Sequence, residues 1–206
     1  MAKRPNKLER REAILNAAIE VFAQKGFHHA RVSDVAKAAQ VADGTIYLYF
    51  KSKDDLLISL FEEKMQQIVE SFREAVCSEE LARDRLKRFV ELHLNMTADH
   101  PTLAEVLTVE LRQSAKFMRE YKAPQFAAYL NLLGEVITYG QERGEIDRAV
   151  DPSVARRIIF GALDELSLYW VSAKRPAAGA GPHVEQAVDT MWRFCSQGLF
   201  SSSPLT

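Results

Sequence analysis

Residues 44 to 53, Gly-Thr-Ile-Tyr-Leu-Tyr-Phe-Lys-Ser-Lys, gather hydroxyl and ammonium groups at close spacing. Thr45, Tyr47 and Tyr49 are short or amphipathic side chains whose hydroxyls suit donation to phosphates and limited contact with base edges. Lys51 and Lys53 follow at once. Ser52-Lys53-Asp54-Asp55 has the form of a capping box, so Lys53 stands at a helix N-terminus, itself a favourable place for a phosphate. Catalytic groupings are sparser. His93 and His100 are seven residues apart on a helical pattern, on one face but about 10 Å from each other, too far for one metal. No nucleophile elbow, His-Glu-x-x-His pair or glycine-rich phosphate loop occurs. A helical hydrolase or metalloenzyme built on those histidines is thus the alternative with least behind it, and the expectation is a non-enzyme with no cofactor and no metal.

The hydroxyls and lysines need helices to present them. Residues 32 to 53 read as two short helices joined by a tight turn: Ser33 caps the first, Gln40-Val41-Ala42 turns, and Asp43 caps a second that opens with Gly44-Thr45-Ile46. Ala36, Ala39 and Ala42 let the helices cross closely, as a helix-turn-helix requires if its second helix is to enter a major groove. Ile46 and Phe50 share an apolar, core-facing side of that helix, which leaves Thr45, Tyr47 and Tyr49 for DNA. Upstream, Ile14, Ala17, Ala18, Val21 and Phe22 give an amphipathic helix from about Leu8 to Lys25 that braces the pair and stops at Gly26 as a left-handed cap. An ordinary packed helix pair with solvated lysines would show much the same pattern.

The whole run AILNAAIEVFAQKGFHHARVSDVAKAAQVADGTIYLYFKSKDDLL is more specific. It closely resembles the DNA-binding domain of the TetR family of bacterial transcriptional repressors, including Gly26-Phe27 and the Gly-Thr-x-Tyr-x-Tyr-Phe-x-x-Lys core. The resemblance implies an all-α, TetR-like fold of about nine helices. A three-helix helix-turn-helix domain, residues 1–53, would precede a larger helical effector-binding and dimerisation domain, residues 54–206. Ser33, Gly44, Thr45, Tyr47, Tyr49 and Lys53 are the expected DNA contacts.

Charge distribution agrees. The chain carries a net charge of -1, yet residues 1 to 53 hold ten Lys and Arg against five Asp and Glu, and the remainder 17 against 23. A basic head on an acidic body suits a protein that grips DNA at one end, because phosphate neutralisation needs local charge. Residues 1 to 7 form a basic arm that could lie along the backbone or simply be a disordered terminus. Cys77 and Cys195 lack ligand-like spacing and read as buried thiols in a reducing cytoplasm. No run of 18 apolar residues exists, so a cytoplasmic protein with no membrane span is expected.

Beyond residue 53 the apolar spacing predicts only helices: 53 to about 77, 79 to 99, 102 to 114, 116 to 143 interrupted near Pro124 and closed by Gly144, 152 to 173 opened by Pro152, and 183 to 200. KRPAAGAGPH, residues 174 to 183, reads as a flexible loop. The helix over 53 to 77 is the one continuous rod from head to body, so a signal between them is expected to travel through it. The last two helices are apolar on more than one side, through Ile158, Ile159, Phe160, Leu163, Leu166 and Trp170 and through Val188, Met191, Trp192, Cys195 and Leu199. Such helices must be buried. Either an intrachain core or a symmetric partner covers them; TetR-like proteins are similar in pairing here as a homodimer through a four-helix interface, which would imply a palindromic operator on double-stranded DNA.

Residues 86 to 170 supply many large apolar side chains, among them Phe89, Met96, Leu103, Leu107, Leu111, Leu133 and Phe160, enough for a packed core or for a cavity between helices. Within them Glu110-Leu111-Arg112-Gln113-Ser114 is a polar run, and a buried Arg112 would need a partner: Glu110, Asp164, Glu165 or an anionic ligand head group. ADGTIYLYFKSKDDLLISLFEEKM, ELRQS and IIFGALDE together look like the fatty-acid-degradation regulators of the TetR family, the FadR type, which long-chain fatty acyl-CoA releases from DNA. That resemblance implies an acyl chain against Phe89, His93, Met96, Leu103, Leu107, Leu111, Leu133 and Phe160. Arg112, Arg119, Arg156 or Arg157 would meet the CoA phosphates. A drug-responsive efflux-pump repressor is the alternative within the family, and would need carboxylates such as Glu110 or Asp164 facing a cationic ligand.

Overall fold

A computed structural model of the chain describes residues 6–172 and 184–200; the expected loop at 174 to 183 and most of the basic arm lie outside the described residues. The helices are α1 (Lys7–Lys25), α2 (Val32–Ala38), α3 (Asp43–Ile46), α4 (Lys53–Cys77), α5 (Ala82–Asp99), α6 (Pro101–Thr108), α7 (Ala115–Glu120), α8 (Pro124–Glu142), α9 (Pro152–Ser172) and α10 (Val184–Leu199). A 3-10 turn, Glu110–Gln113, separates α6 from α7. Among the described residues the fold is all-α as expected, with ten helices where about nine were anticipated, and the only β feature is an isolated bridge between Ile146 and Phe200.

Local chemistry explains the boundaries. Asn6 caps α1, accepting from Glu9 N at 2.9 Å while Glu9 accepts from Asn6 N at 2.8 Å, a reciprocal box. Gly26 ends α1 with φ 75° and ψ 149°; the positive φ was expected, but this ψ lies outside the left-handed helical basin. The N-cap of α2 is Arg31 and not Ser33, because the Asp34 carboxylate reaches back to Arg31 N at 2.9 Å; Ser33 sits in the exposed first turn. Asp43 is likewise the first residue of α3, with Ala42 as its cap. The Ser52 cap holds, its hydroxyl accepting from Asp55 N at 3.0 Å, and Asp55 in turn accepts from Lys51 N at 2.7 Å. The segment expected over 102–114 is broken after Thr108, while the interruption expected near Pro124 is present, Ala123 taking a left-handed conformation (φ 45°, ψ 58°) just before that proline.

The chain divides into two compact units: Met1–Lys64 with Thr102–Lys122, and Met65–Pro101 with Ala123–Thr206. The division falls inside α4, and the first unit also takes in α6 and α7, a grouping different from the expected boundary at residue 53. The first unit packs α1 on α2 and α2 on α3 around Ile14, Leu15, Phe22, Val35, Ile46, Phe50, Leu57 and Leu60, all at most 1% exposed. The second packs α5 on α8, α9 and α10 around Phe72, Leu86, Phe89, Val90, Leu133, Ile137 and Leu163. At Gly140 a Cβ would lie 2.8 Å from Ala82 Cβ and 2.7 Å from Ile146, so only glycine lets the start of α5 approach α8 this closely. Cys195 is buried but Cys77 is exposed, which corrects the expectation of two buried thiols.

Candidate DNA-reading face and buried polar centre

In the first unit, Ile46 and Phe50 are each 1% exposed and turn α3 onto the core, while Gly44, Tyr47 and Leu48 point outward. Tyr47 is 59% and Leu48 78% exposed, values that large side chains reach only when nothing in the chain covers them. Ser33 is exposed, Thr45 and Tyr49 are half-buried, and the Tyr49 ring lies 6.2 Å from that of Phe50. Ala30, Arg31, Val32, Ser33, Asp43, Tyr47 and Lys53 line a shallow cleft of about 380 Å³ on this side. Ser33, Gly44, Thr45, Tyr47 and Tyr49, five of the six expected DNA contacts, therefore keep some open surface. Leu48 was overlooked because an apolar residue in a helical run reads as core.

Lys53 differs. Its ammonium donates to the carbonyls of Phe27 (2.6 Å), Ala30 (3.1 Å) and His28 (3.2 Å) and lies 4.5 Å from the centre of the Phe27 ring. It ties the 26–30 turn, between α1 and α2, to the start of α4. The opposite side of that turn is held by a carboxylate: Phe27 N donates to Glu110 Oε2, and Gln113 Nε2 donates to the same oxygen at 3.3 Å. Glu110 is only 5% exposed. The burial expected of Arg112 belongs to Glu110 instead; Arg112 is exposed and donates to the Thr108 carbonyl one turn earlier. Ser114, 1% exposed, donates to Asp54 Oδ1 at 2.6 Å and caps α7 by accepting from Phe117 N at 3.1 Å. The polar run is thus a set of ties within the first unit, and the Glu110 carboxylate is occupied by them.

The expected effector residues fall in both units. Leu103, Leu107, Leu111 and Arg112 belong to the first, and only Leu111 of these is buried. Phe89, His93, Met96, Leu133 and Phe160 belong to the second, where Phe89, His93 and Leu133 are buried and Met96 and Phe160 half-buried. Here Tyr129 centres an aromatic cluster, 5.1 Å from Phe89, 5.7 Å from Phe72 and 6.2 Å from Phe160. His93 Nδ1 lies 2.5 Å from the Tyr129 hydroxyl and Nε2 3.1 Å from Ser167 Oγ; Ser167 pairs with Thr97 at 2.9 Å, and Thr97 donates to the His93 carbonyl. Burial lowers the His93 pKa to about 4 against weaker support from Asp164 and the Leu163 carbonyl, and burial raises that of Tyr129. At neutral pH both Tyr129 and His93 are therefore neutral, and the ring, carrying one N–H, joins the Tyr129 hydroxyl at Nδ1 and the Ser167 hydroxyl at Nε2. Sequence spacing drew attention to His93 but gave no sign of Tyr129, Ser167 and Thr97, which lie 36, 74 and 4 residues away.

Among the described residues no group of three His, Cys, Asp or Glu is placed to hold a metal, and His100 is exposed. Of the other candidate phosphate contacts, Arg119 and Arg157 are exposed, and Arg156 lies across Gly134 with its guanidinium on Asn131 Oδ1. Between α9 and α10 runs an apolar groove of about 900 Å³ lined by Val154, Ile158, Leu166, Met191, Phe194 and Cys195 among others. Ile158 is 66% and Phe194 75% exposed in the single chain. No described helix is long and apolar enough to cross a membrane.

Comparison with known proteins matches residues 14–60 to the bacterial regulatory proteins of the tetR family and residues 61–176 to the YsiA-like protein C-terminal region. The fatty acid metabolism regulator protein of Bacillus subtilis is 43% identical over 169 residues, 82% of this chain and 85% of that protein. Two solved structures of fatty-acid regulators share the fold. FadR of Bacillus subtilis in complex with stearoyl-CoA superposes with a TM-score of 0.83 at 38% identity, covering 91% of this chain and 98% of that one. The fatty acid degradation regulator FadR of Bacillus halodurans gives 0.85 at 37% identity, covering 95% and 98%.

Proposed function

Because the chain belongs to the TetR family of bacterial transcriptional regulators, and is FadR-like within it, we propose that it is a dimeric repressor of fatty-acid-degradation genes, released from a palindromic operator by long-chain fatty acyl-CoA. The observation that carries this reading is that the helix-turn-helix and the remaining helices resemble the same FadR proteins together, one of them bound to stearoyl-CoA. Ser33, Gly44, Thr45, Tyr47 and Tyr49 meet the duplex, with Lys53 fixing the turn behind them and lending its charge to the phosphate field. The acyl chain lies against Phe89, His93, Met96, Leu133 and Phe160. Two chains pair through α9 and α10, covering Ile158 and Phe194, and the protein works in the cytoplasm. It needs no cofactor and performs no catalysis.

The energetics are adequate. Taking a population from 1:99 to 99:1 needs roughly 5.5 kcal/mol of differential affinity for the released state. Each buried methylene of an acyl chain contributes about 0.8 kcal/mol, so a fully buried long chain supplies roughly twice the differential affinity required, of which a part must distinguish the two states.

Thermal-shift titration with palmitoyl-CoA, stearoyl-CoA, free CoA, the free acids and cationic drugs tests the reading. Saturable stabilisation by long acyl-CoA, absent with free CoA and weak with free acids, is expected. Stabilisation by cationic drugs alone would transfer the protein to efflux control and leave its DNA-binding assignment standing.

A further inference from the structure

The DNA-reading helices have a clamp that the proposed function does not use. The 26–30 turn that sets α1 against α2 is held from two sides. Lys53 takes three of its carbonyls, and Glu110, 83 residues on from Phe27, takes the Phe27 N–H. A buried carboxylate is costly unless hydrogen-bonded to donors, and Glu110 at 5% exposure finds two, Phe27 N and Gln113 Nε2. Gly26 sets the turn by its backbone, at φ 75°, and a Cβ there would stand in ordinary contact with Glu110 Oε2 at 3.6 Å. Four residues after Glu110, the buried Ser114 hydroxyl grips Asp54 in the first turn of α4, the helix that follows α3. The segment from Thr102 to Lys122 thus holds the helix-turn-helix at its entrance and at its exit, while its own two ends run on into the other unit.

We propose that Glu110, seconded by Ser114, is a positioning residue for DNA binding: its carboxylate on Phe27 N couples the state of the 102–122 segment to the orientation of α2 and α3. This rests on the DNA-binding reading above. Neither residue touches DNA; each acts through the backbone it holds. Coupling of this kind is reciprocal, so a duplex bound at α3 must alter the 102–122 segment as surely as that segment alters the grip on DNA.

Hydrogen exchange on the full-length protein, with and without a duplex selected by the wild type from a random-sequence pool, reads this directly. In the wild type the duplex should slow exchange in peptides spanning 26–50 and also in those spanning 102–122, by about tenfold at the most affected amides. Glu110→Ala should keep the first protection and lose the second, with Glu110→Gln, which retains an acceptor oxygen, restoring it. Ser114→Ala, which cuts the tie to Asp54 alone, should reduce it and serves if Glu110→Ala does not fold. Protection at 102–122 that persists in Glu110→Ala and Ser114→Ala, or that fails to return in Glu110→Gln, overturns the coupling. Absence of protection at 26–50 in the wild type instead overturns the DNA-binding reading, and the proposal with it.

Discussion

Single residues separate structure from recognition most sharply at Lys53 and Tyr47. Lys53→Gln removes an ammonium from three carbonyls and an aromatic face, so it should lower stability by about 1–3 kcal/mol in chemical denaturation with no DNA present. Tyr47→Phe removes a hydroxyl from an exposed ring and should leave that midpoint unchanged while weakening duplex binding about three- to tenfold. Were Tyr47→Phe to unfold the protein earlier, the open-face assignment would be wrong. The family pattern made both residues visible in the sequence, but the motif cannot say which end of a lysine is engaged, since its partners on 27 to 30 are carbonyls that every residue possesses. His93 adds a pH test. Its folded pKa of about 4 lies below the ordinary value of 6.5, so above pH 6.5 both states are neutral and the group is silent. As pH falls from 6.5 toward 4 the unfolded chain takes up the proton that the folded one refuses, and stability should drop by up to about 3 kcal/mol. His93→Gln should show a shallower loss of melting temperature over that window.

Helices were legible wherever apolar spacing ran long and unbroken, as in α1, α4, α5, α8, α9 and α10. Their ends were less so, because the cap at Asn6 and the reach of Asp34 back to Arg31 N act through side-chain geometry that spacing does not encode. Residues 102–114 were read as one helix because their apolar residues keep the period across the 3-10 turn that carries buried Glu110 and Leu111. Which charged residue of that run turned inward could not be read from composition, since Glu110 is satisfied by a backbone N–H from far along the chain. Gly140 shows the converse, a close approach that no pattern announces. Gly140→Ala should destabilise by about 1–3 kcal/mol, read as a lower unfolding midpoint, because the Ala82 methyl cannot move away without its backbone.

At the scale of the molecule, an exposed Ile158 and Phe194 beside an apolar groove are the mark of a surface that expects a partner. Phe194→Glu should shift sedimentation from dimer to monomer with the helical content intact, and should weaken binding to a two-half-site duplex far more than to one half-site. A monomeric wild type would sink the symmetric-operator reading at once. The two cysteines make a separate use of the same architecture. Cys195 lines the groove, and burial raises its thiol pKa to about 11, so near neutral pH it is almost wholly unreactive. Cys77 is exposed at the last residue of α4. A maleimide probe at neutral pH should therefore mark one place per chain, without mutagenesis, at the far end of the helix that begins beside the DNA-reading face. Two such labels in a dimer form a molecular ruler, and the distance between them, read by dipolar spectroscopy, would report whether α4 moves when duplex or acyl-CoA is added.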